Sequence, residues 1–311
     1  MSAPLAAVTG ATGFLGRRLV PALASHGWRV RALARSKPPE GLWGGAEVEV
    51  VGGDMADKGA LAALADGADA VIHVAGLIKA RSKAQFFEAN TEGARRVAEA
   101  TGAGRFVLVS SLAAREPQLS HYAASKRAGE EAAREVLGRR LTVVRPPAIY
   151  GPGDRETLQL FRMVAAGPIL ALPGPDTARL ALAHVDDVAE AIVALLGGPT
   201  QDAPVAVPGA RAEGYGWREI FGAAARAVGV RPRLVPTPPW IVAAAGGVSE
   251  LMGAFTRDAP IFTRGKAREI LHPDWSVSPA EAAPGAPPAR FDLDAGFDQA
   301  VAWYRAEGWL T

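Results

Sequence analysis

The chain has 311 residues, 49% hydrophobic and 21% charged, the make-up of a folded protein with a sizeable core rather than of a disordered one. A formal charge of only +2 singles out no nucleic-acid partner, and the absence of cysteine excludes disulfides and thiolate metal sites. A reducing, cytoplasmic setting fits that usage, and with the first strand expected so close to Met1 no signal peptide is expected.

The first element is the apolar run LAAV, which reads as a short buried strand. It leads into TGATGFLG, where Gly10, Gly13 and Gly16 stand three apart, and then into the helical pattern RRLVPALASHG. Strand, glycine turn and helix form the geometry in which backbone N–H groups meet a pyrophosphate. The second strand, WRVRALA, ends in ARSKPPE. Dinucleotide folds usually carry an acid there for the ribose 2′-hydroxyl. Here Arg35 and Lys37 take that place and Glu40 follows only after two prolines, so NADP(H) is favoured over NAD(H).

AEVEVVGGD, ADAVIHVAG, GRFVLVSS and RLTVVRPPAIYG read as further strands. Between them DKGALAALADG, AQFFEANTEGARRVAEATG and HYAASKRAGEEAAREVLG carry helical spacing. The alternation predicts an α/β fold, a Rossmann doubly wound parallel sheet with a smaller C-terminal substrate lobe. After Tyr150 the rhythm breaks at GPGD and LPGPDT, returns once in ARLALAHVDDVAEAIVALLGG, and gives way to proline-rich sequence. Residues 1–150, with about 180–207, are therefore expected to form the nucleotide-binding domain, and about 151–179 with 208–311 the substrate lobe.

The stretch SSLAAREPQLSHYAASK carries the chemistry. Tyr122 and Lys126 are four apart and share a helix face, and Ser110 and Ser111 end the preceding strand at the carboxyl edge, where such sheets bind ligands. A tyrosine of ordinary pKa ~10 is a poor proton donor or acceptor near neutrality. A lysine ammonium beside it favours the phenolate, and a serine hydroxyl can hold a substrate oxygen next to the phenol.

TGATGFLG, GGD with Asp54, HVAG, ANTEG, SS…YAASK, VVRPPAIYGPGD and HVDDVA, in this order, resemble the extended short-chain dehydrogenase/reductases, the NAD-dependent epimerase/dehydratase group. The resemblance covers most of the chain. It implies that Gly10, Thr12, Gly13, Phe14 and Leu15 cradle the pyrophosphate, and that Asp54 and Met55 contact the adenine. Val74, Ala75, Gly76 and Asn90 would line the ribose and nicotinamide side, Lys126 the ribose hydroxyls, and Pro146 and Ile149 the nicotinamide. Ser111 rather than Ser110 matches the family's serine, so Ser111, Tyr122 and Lys126 are the expected catalytic residues. His73, in an apolar strand, reads as structural, and no metal site is expected. Asp186 or Asp187 reads as a helix N-cap. His121 points about 100° away from Tyr122 on the helix and is set aside.

Nucleotide-sugar members of the group often carry an Arg-Asp-aromatic run just before HVDD, where this chain has Leu180 to Ala183, LALA. The later lobe instead contains PPWIVAAAGGVSELMGAF, from Pro238 to Phe255, too interrupted for a membrane span and suited to a lobe helix, an apolar lid or a membrane-surface helix. The closing TRGKAREILHPDW resembles the hydroxysteroid-dehydrogenase branch, which handles lipid ketones and alcohols. The expected activity is NADP(H)-dependent interconversion of a ketone and a secondary alcohol on a lipid, sterol-like or 3-oxo-sphingolipid (ceramide-like) substrate. The alternatives are a nucleotide-sugar epimerase or reductase, and a non-catalytic NADP(H)-binding accessory or sensor protein. The expected partner is an apolar small molecule, with peripheral contact at the inner membrane surface as a further candidate, in a monomer or homodimer.

Overall fold

The computed structural model describes residues 3–253 and 262–310. In chain order the elements are β1 (Leu5–Thr9), α1 (Gly16–Ser25), β2 (Arg29–Ala34), β3 (Val48–Gly52), α2 (Lys58–Ala65), β4 (Ala70–His73), α3 (Lys83–Phe87), α4 (Gly93–Ala100), β5 (Arg105–Val109), α5 (His121–Leu137), β6 (Leu141–Arg145) and β7 (Ala148–Tyr150). They continue with α6 (Arg155–Ala165), β8 (Ile169–Leu172), β9 (Arg179–Leu180), β10 (Leu182–His184), α7 (Val185–Gly197), β11 (Val205–Ala206), α8 (Trp217–Val228), β12 (Arg233–Pro236), α9 (Pro239–Gly253), α10 (Arg264–Leu271), β13 (Asp274–Trp275) and α11 (Leu293–Ala306).

Contacts divide the chain into two compact units. The first comprises residues up to Pro146, Val188–Val207 and Ala283–Pro287. It holds a seven-stranded parallel sheet in the order β11-β6-β5-β4-β1-β2-β3. β1 and β4 are buried along their whole length. That is why they read as unbroken apolar runs: helices cover both faces of a parallel sheet. Strand order reverses between β1 and β4, and an open sheet of this kind binds ligands at the carboxyl ends of the strands there.

One expected strand divides in two. RLTVVRPPAIYG forms β6 and a separate β7, because Pro146 and Pro147 have no N–H to donate to a ladder. β7 pairs instead with β10 in the second unit, which comprises Pro147–Asp187, Pro208–Ala282 and Pro288 onward. This unit is built from helices α6, α8, α9, α10 and α11 and three two-stranded parallel ribbons, β7 with β10, β8 with β12 and β9 with β13. Its core is aromatic. Phe297 packs edge-on against Tyr150 and Phe161, with ring centroids 5.1 Å away in each case. Gly296 presses against the Tyr150 ring, so a side chain there would collide with it.

Asp186 and Asp187 are not N-caps: α7 begins at Val185 and both lie inside its first turn. The Asp187 carboxylate instead accepts from the backbone N–H of Arg290 at 3.1 Å and of Phe291 at 3.4 Å.

Candidate active site

The glycine turn follows β1 directly. Gly10 has φ of +72°, and a Cβ there would lie 2.6 Å from the Ala75 amide nitrogen at the end of β4. Gly16 abuts the Gly10 carbonyl oxygen just as closely, and the Gly13 N–H donates to that oxygen at 2.9 Å. α1 then starts with no side-chain cap and no acidic residue in its first turn. The positive end of its dipole thus lies at Leu15 and the turn residues Thr12 to Phe14 just before it. A turn packed too closely for a Cβ at Gly10 or Gly16, leading into a helix N-terminus without a side-chain cap, fits a pyrophosphate.

The far side of this turn is fixed by a residue that sequence reasoning missed. The buried Trp43 indole N–H donates to the Ala11 carbonyl at 3.0 Å and pins the β2–β3 connection against the turn. Arg35 and Lys37 are exposed beyond β2 and, with Val50 and Gly52, line a cavity of about 650 Å³. Asp54 is exposed, and its carboxylate accepts from the Ala56 N–H at 2.8 Å. Met55 packs over Gly93, where an added Cβ would sit 3.3 Å from its sulfur.

At the carboxyl ends of β1 and β4, Thr9 Oγ1 and His73 Nδ1 are hydrogen-bonded at 2.7 Å. Burial, reinforced by the charge of Lys126, lowers the His73 pKa to about 3, so this ring is neutral. Thr9 also receives the amides of the next two residues, Val74 on its carbonyl and Ala75 on its hydroxyl. Gly76 follows against Asn90 and Lys126: a Cβ there would lie 2.9 Å from Asn90 Oδ1 and 3.7 Å from Lys126 Nζ. Asn90 stands in a wide π turn, Glu88–Glu92. Its amide accepts from Leu77 N–H at 2.8 Å and donates to the Leu77 carbonyl at 3.0 Å and to Ser125 Oγ at 2.9 Å. Asn90 therefore clasps the Gly76–Leu77 loop to α5.

α5 carries the expected acid–base pair. Ser120 caps it, accepting from Ala123 N–H at 2.9 Å. On one face stand Tyr122, Lys126 and Glu130, successive fourth residues. Tyr122 is half-buried, its ring edge-on to Phe86 at 6.2 Å. Lys126 is buried and its ammonium donates to the Val109 carbonyl at 2.7 Å, at the end of β5. Burial lowers its pKa to about 8, with Glu130 pulling upward against that shift. Ser110 and Ser111 part company here. Ser110 is buried and donates to Glu130 at 2.5 Å, whereas Ser111 is half-buried and opens a short 3-10 turn. Beside it, the Pro146 carbonyl accepts from Leu112 N–H at 2.8 Å. Ile149 lies in β7 of the second unit, paired with Ala183, and His121 is exposed.

One turn beyond Lys126 on this face lies a buried ion pair that no motif announces. Glu130 accepts from Arg145 Nε at 2.9 Å and from a terminal guanidinium nitrogen at 2.5 Å, besides Ser110. The one available signal was spacing: Glu130 falls a helical turn beyond Lys126.

The sequence matches the NAD dependent epimerase/dehydratase family over residues 6–206. It is 50% identical to a ceramide reductase of Caulobacter vibrioides over 306 residues, covering 98% of this chain and 95% of that protein. A 3 beta-hydroxysteroid dehydrogenase/Delta 5-->4-isomerase of Mycobacterium tuberculosis is 30% identical over 212 residues, 58% of this chain and 57% of its own. In fold, the crystal structure of gox2253 superimposes with a TM-score of 0.79 over all of both chains at 23% identity. The UDP-glucose 4-epimerase of Thermus thermophilus, solved with NAD, gives 0.70 over 97% of this chain and 99% of its own, also at 23%. The protein thus belongs to the NAD-dependent epimerase/dehydratase family of extended short-chain dehydrogenase/reductases, as an NAD(P)-dependent oxidoreductase.

Proposed function

We propose that the protein reduces a ketone to a secondary alcohol on a hydrophobic, ceramide-like lipid, with NADPH as the reductant. The observation that carries this reading is the identity to the Caulobacter ceramide reductase along nearly the whole chain. The LALA segment supports it: Ala181, Leu182 and Ala183 are buried apolar residues where sugar-nucleotide relatives often carry charge. The nicotinamide, when bound, supplies a hydride to the carbonyl carbon. The chain supplies the rest. Tyr122 gives its phenolic proton to the developing alkoxide, and Ser111 holds that oxygen in place. Lys126, mostly protonated below pH 8, stabilises the phenolate left behind. Gly10, Thr12, Gly13, Phe14 and Leu15 hold the pyrophosphate, Asp54 and Met55 the adenine, and Val74, Ala75, Gly76, Asn90, Lys126, Pro146 and Ile149 the ribose and nicotinamide. Arg35 and Lys37 select NADPH by gripping the 2′-phosphate.

Deuterium transfer tests this directly. Incubation with a dispersed 3-oxo-ceramide and NADPH deuterated at C4 should give an alcohol carrying one deuterium on the carbinol carbon. Unlabelled or unreduced lipid, with label appearing instead in a 4-keto sugar nucleotide offered in a parallel incubation, would overturn it.

A further inference from the structure

α9 presents an apolar face to solvent that none of the described residues of its own unit covers. At 100° per residue, Trp240, Leu251, Ala244, Val248, Ile241, Met252 and Ala245 fall in a continuous arc of about 140°. All are exposed: Trp240 by 70%, Leu251 by 66%, Met252 by 63% and Val248 by 62%. The opposite side does the packing. Val242 is buried, and Gly246 lies so close to α10 that a Cβ would stand 2.9 Å from the Thr263 carbonyl oxygen. No charge interrupts the stripe. Glu250 falls outside the arc and accepts from the Arg264 N–H at 3.0 Å. Ala254 and Phe255, the last residues of this greasy stretch, lie outside the described residues.

The surroundings are basic. Between Gly229 and Leu271 six lysines and arginines face three acids, a surplus of three in a chain whose total is +2. Two of those acids are engaged: Glu250 with the α10 backbone, and the buried Glu269 with Lys266 at 3.2 Å. Arg264 borders the stripe, its Nε 3.2 Å from where a Gly247 Cβ would be, and Lys266 and Arg268 are exposed further along α10. Before α9, the β8–β12 ribbon turns Ile169 (64% exposed), Val235 and Arg233 to solvent.

We propose that α9 docks the protein on an anionic bilayer surface, its stripe in the acyl–headgroup boundary and Arg264 and Arg268 on lipid phosphates. An uncharged helical face with a tryptophan at one end and cations on its border is the pattern of a helix lying in a membrane interface. A second copy of the chain fits less well, because a two-fold pairing of this face brings two basic borders together. Among the described residues no helix is long and apolar enough to cross a membrane.

The test is co-sedimentation with substrate-free vesicles, so the result is independent of what the enzyme reduces. The wild type should bind phosphatidylcholine–phosphatidylglycerol vesicles, lose binding in high salt, and bind pure phosphatidylcholine more weakly by roughly fivefold per engaged basic side chain. Val248→Glu with Leu251→Glu should weaken binding on the order of a hundredfold while circular dichroism and NADPH affinity stay as in the wild type. Arg264→Gln with Arg268→Gln should remove the preference for anionic lipid. Trp240→Ser serves as the second probe should the double glutamate variant misfold. Absence of wild-type binding to anionic vesicles, or binding unchanged in folded stripe variants, would overturn the proposal. So would a wild-type dimer that the stripe variants dissociate without any vesicle binding.

Discussion

Glu130→Gln removes one charge from the centre of a closed network. The carboxylate receives three hydrogen bonds, one from Ser110 and two from Arg145, and the residue is only 5% exposed. The substitution keeps the shape and one acceptor but leaves the Arg145 guanidinium, 12% exposed, without its counter-ion. Breaking a buried pair from one side costs roughly 3–5 kcal/mol; the retained amide oxygen should hold the loss near the lower end. The second effect is electrostatic. Glu130 raises the Lys126 pKa, so its neutralisation should move that pKa further below about 8. Urea unfolding should therefore show a large loss of stability, and the alkaline limb of the pH–rate profile should move toward neutral pH. Glu130→Leu with Arg145→Leu removes both charges and should cost far less than Glu130→Leu alone, as buried pairs replaced together often do. A loss under about 1 kcal/mol in Glu130→Gln, with an unmoved alkaline limb, would refute the reasoning.

Four further outcomes follow from the same geometry. Gly76→Ala places a methyl 2.9 Å from Asn90 Oδ1; overpacking there should cost about 1–3 kcal/mol and raise the KM for cofactor. Tyr122→Phe should leave cofactor affinity intact and cut turnover on the order of a hundredfold or more, as read by single-turnover kinetics. Arg35→Ala should weaken NADPH roughly tenfold and leave NADH unchanged, measured by calorimetry. His73 has a folded pKa lowered from 6.5 to about 3, so its contribution to stability is complete above pH 6.5 and declines as pH falls toward 3. The acid-induced loss should be smaller in His73→Gln, whose amide can still reach Thr9.

The sequence made the nucleotide-binding half legible because its signals are local. Gly10, Gly13 and Gly16 mark a turn that backbone geometry demands, and Tyr122 and Lys126 mark a helix face by spacing alone. What stayed hidden is contact between distant segments. Trp43 reaches Ala11 across 32 residues, and Thr9 reaches His73 across 64. The Asn90 clasp depends on a π turn, for which EANTE carries no propensity signal. β9 and β13 are two residues each, too short for any periodicity. The prolines that separate β6 from β7 were readable in principle, and the apolar run of VVRPPAIY masked them.

Lipid-ketone reduction by Tyr122 chemistry is tested most directly by steady-state NADPH consumption. Wild-type protein should consume NADPH with dispersed 3-oxo-ceramide and not with UDP-glucose or its 4-keto derivative, and Tyr122→Phe should abolish the lipid-dependent rate. NADPH consumption with the sugar nucleotide alone, or a lipid-dependent rate undiminished in Tyr122→Phe, would contradict the account.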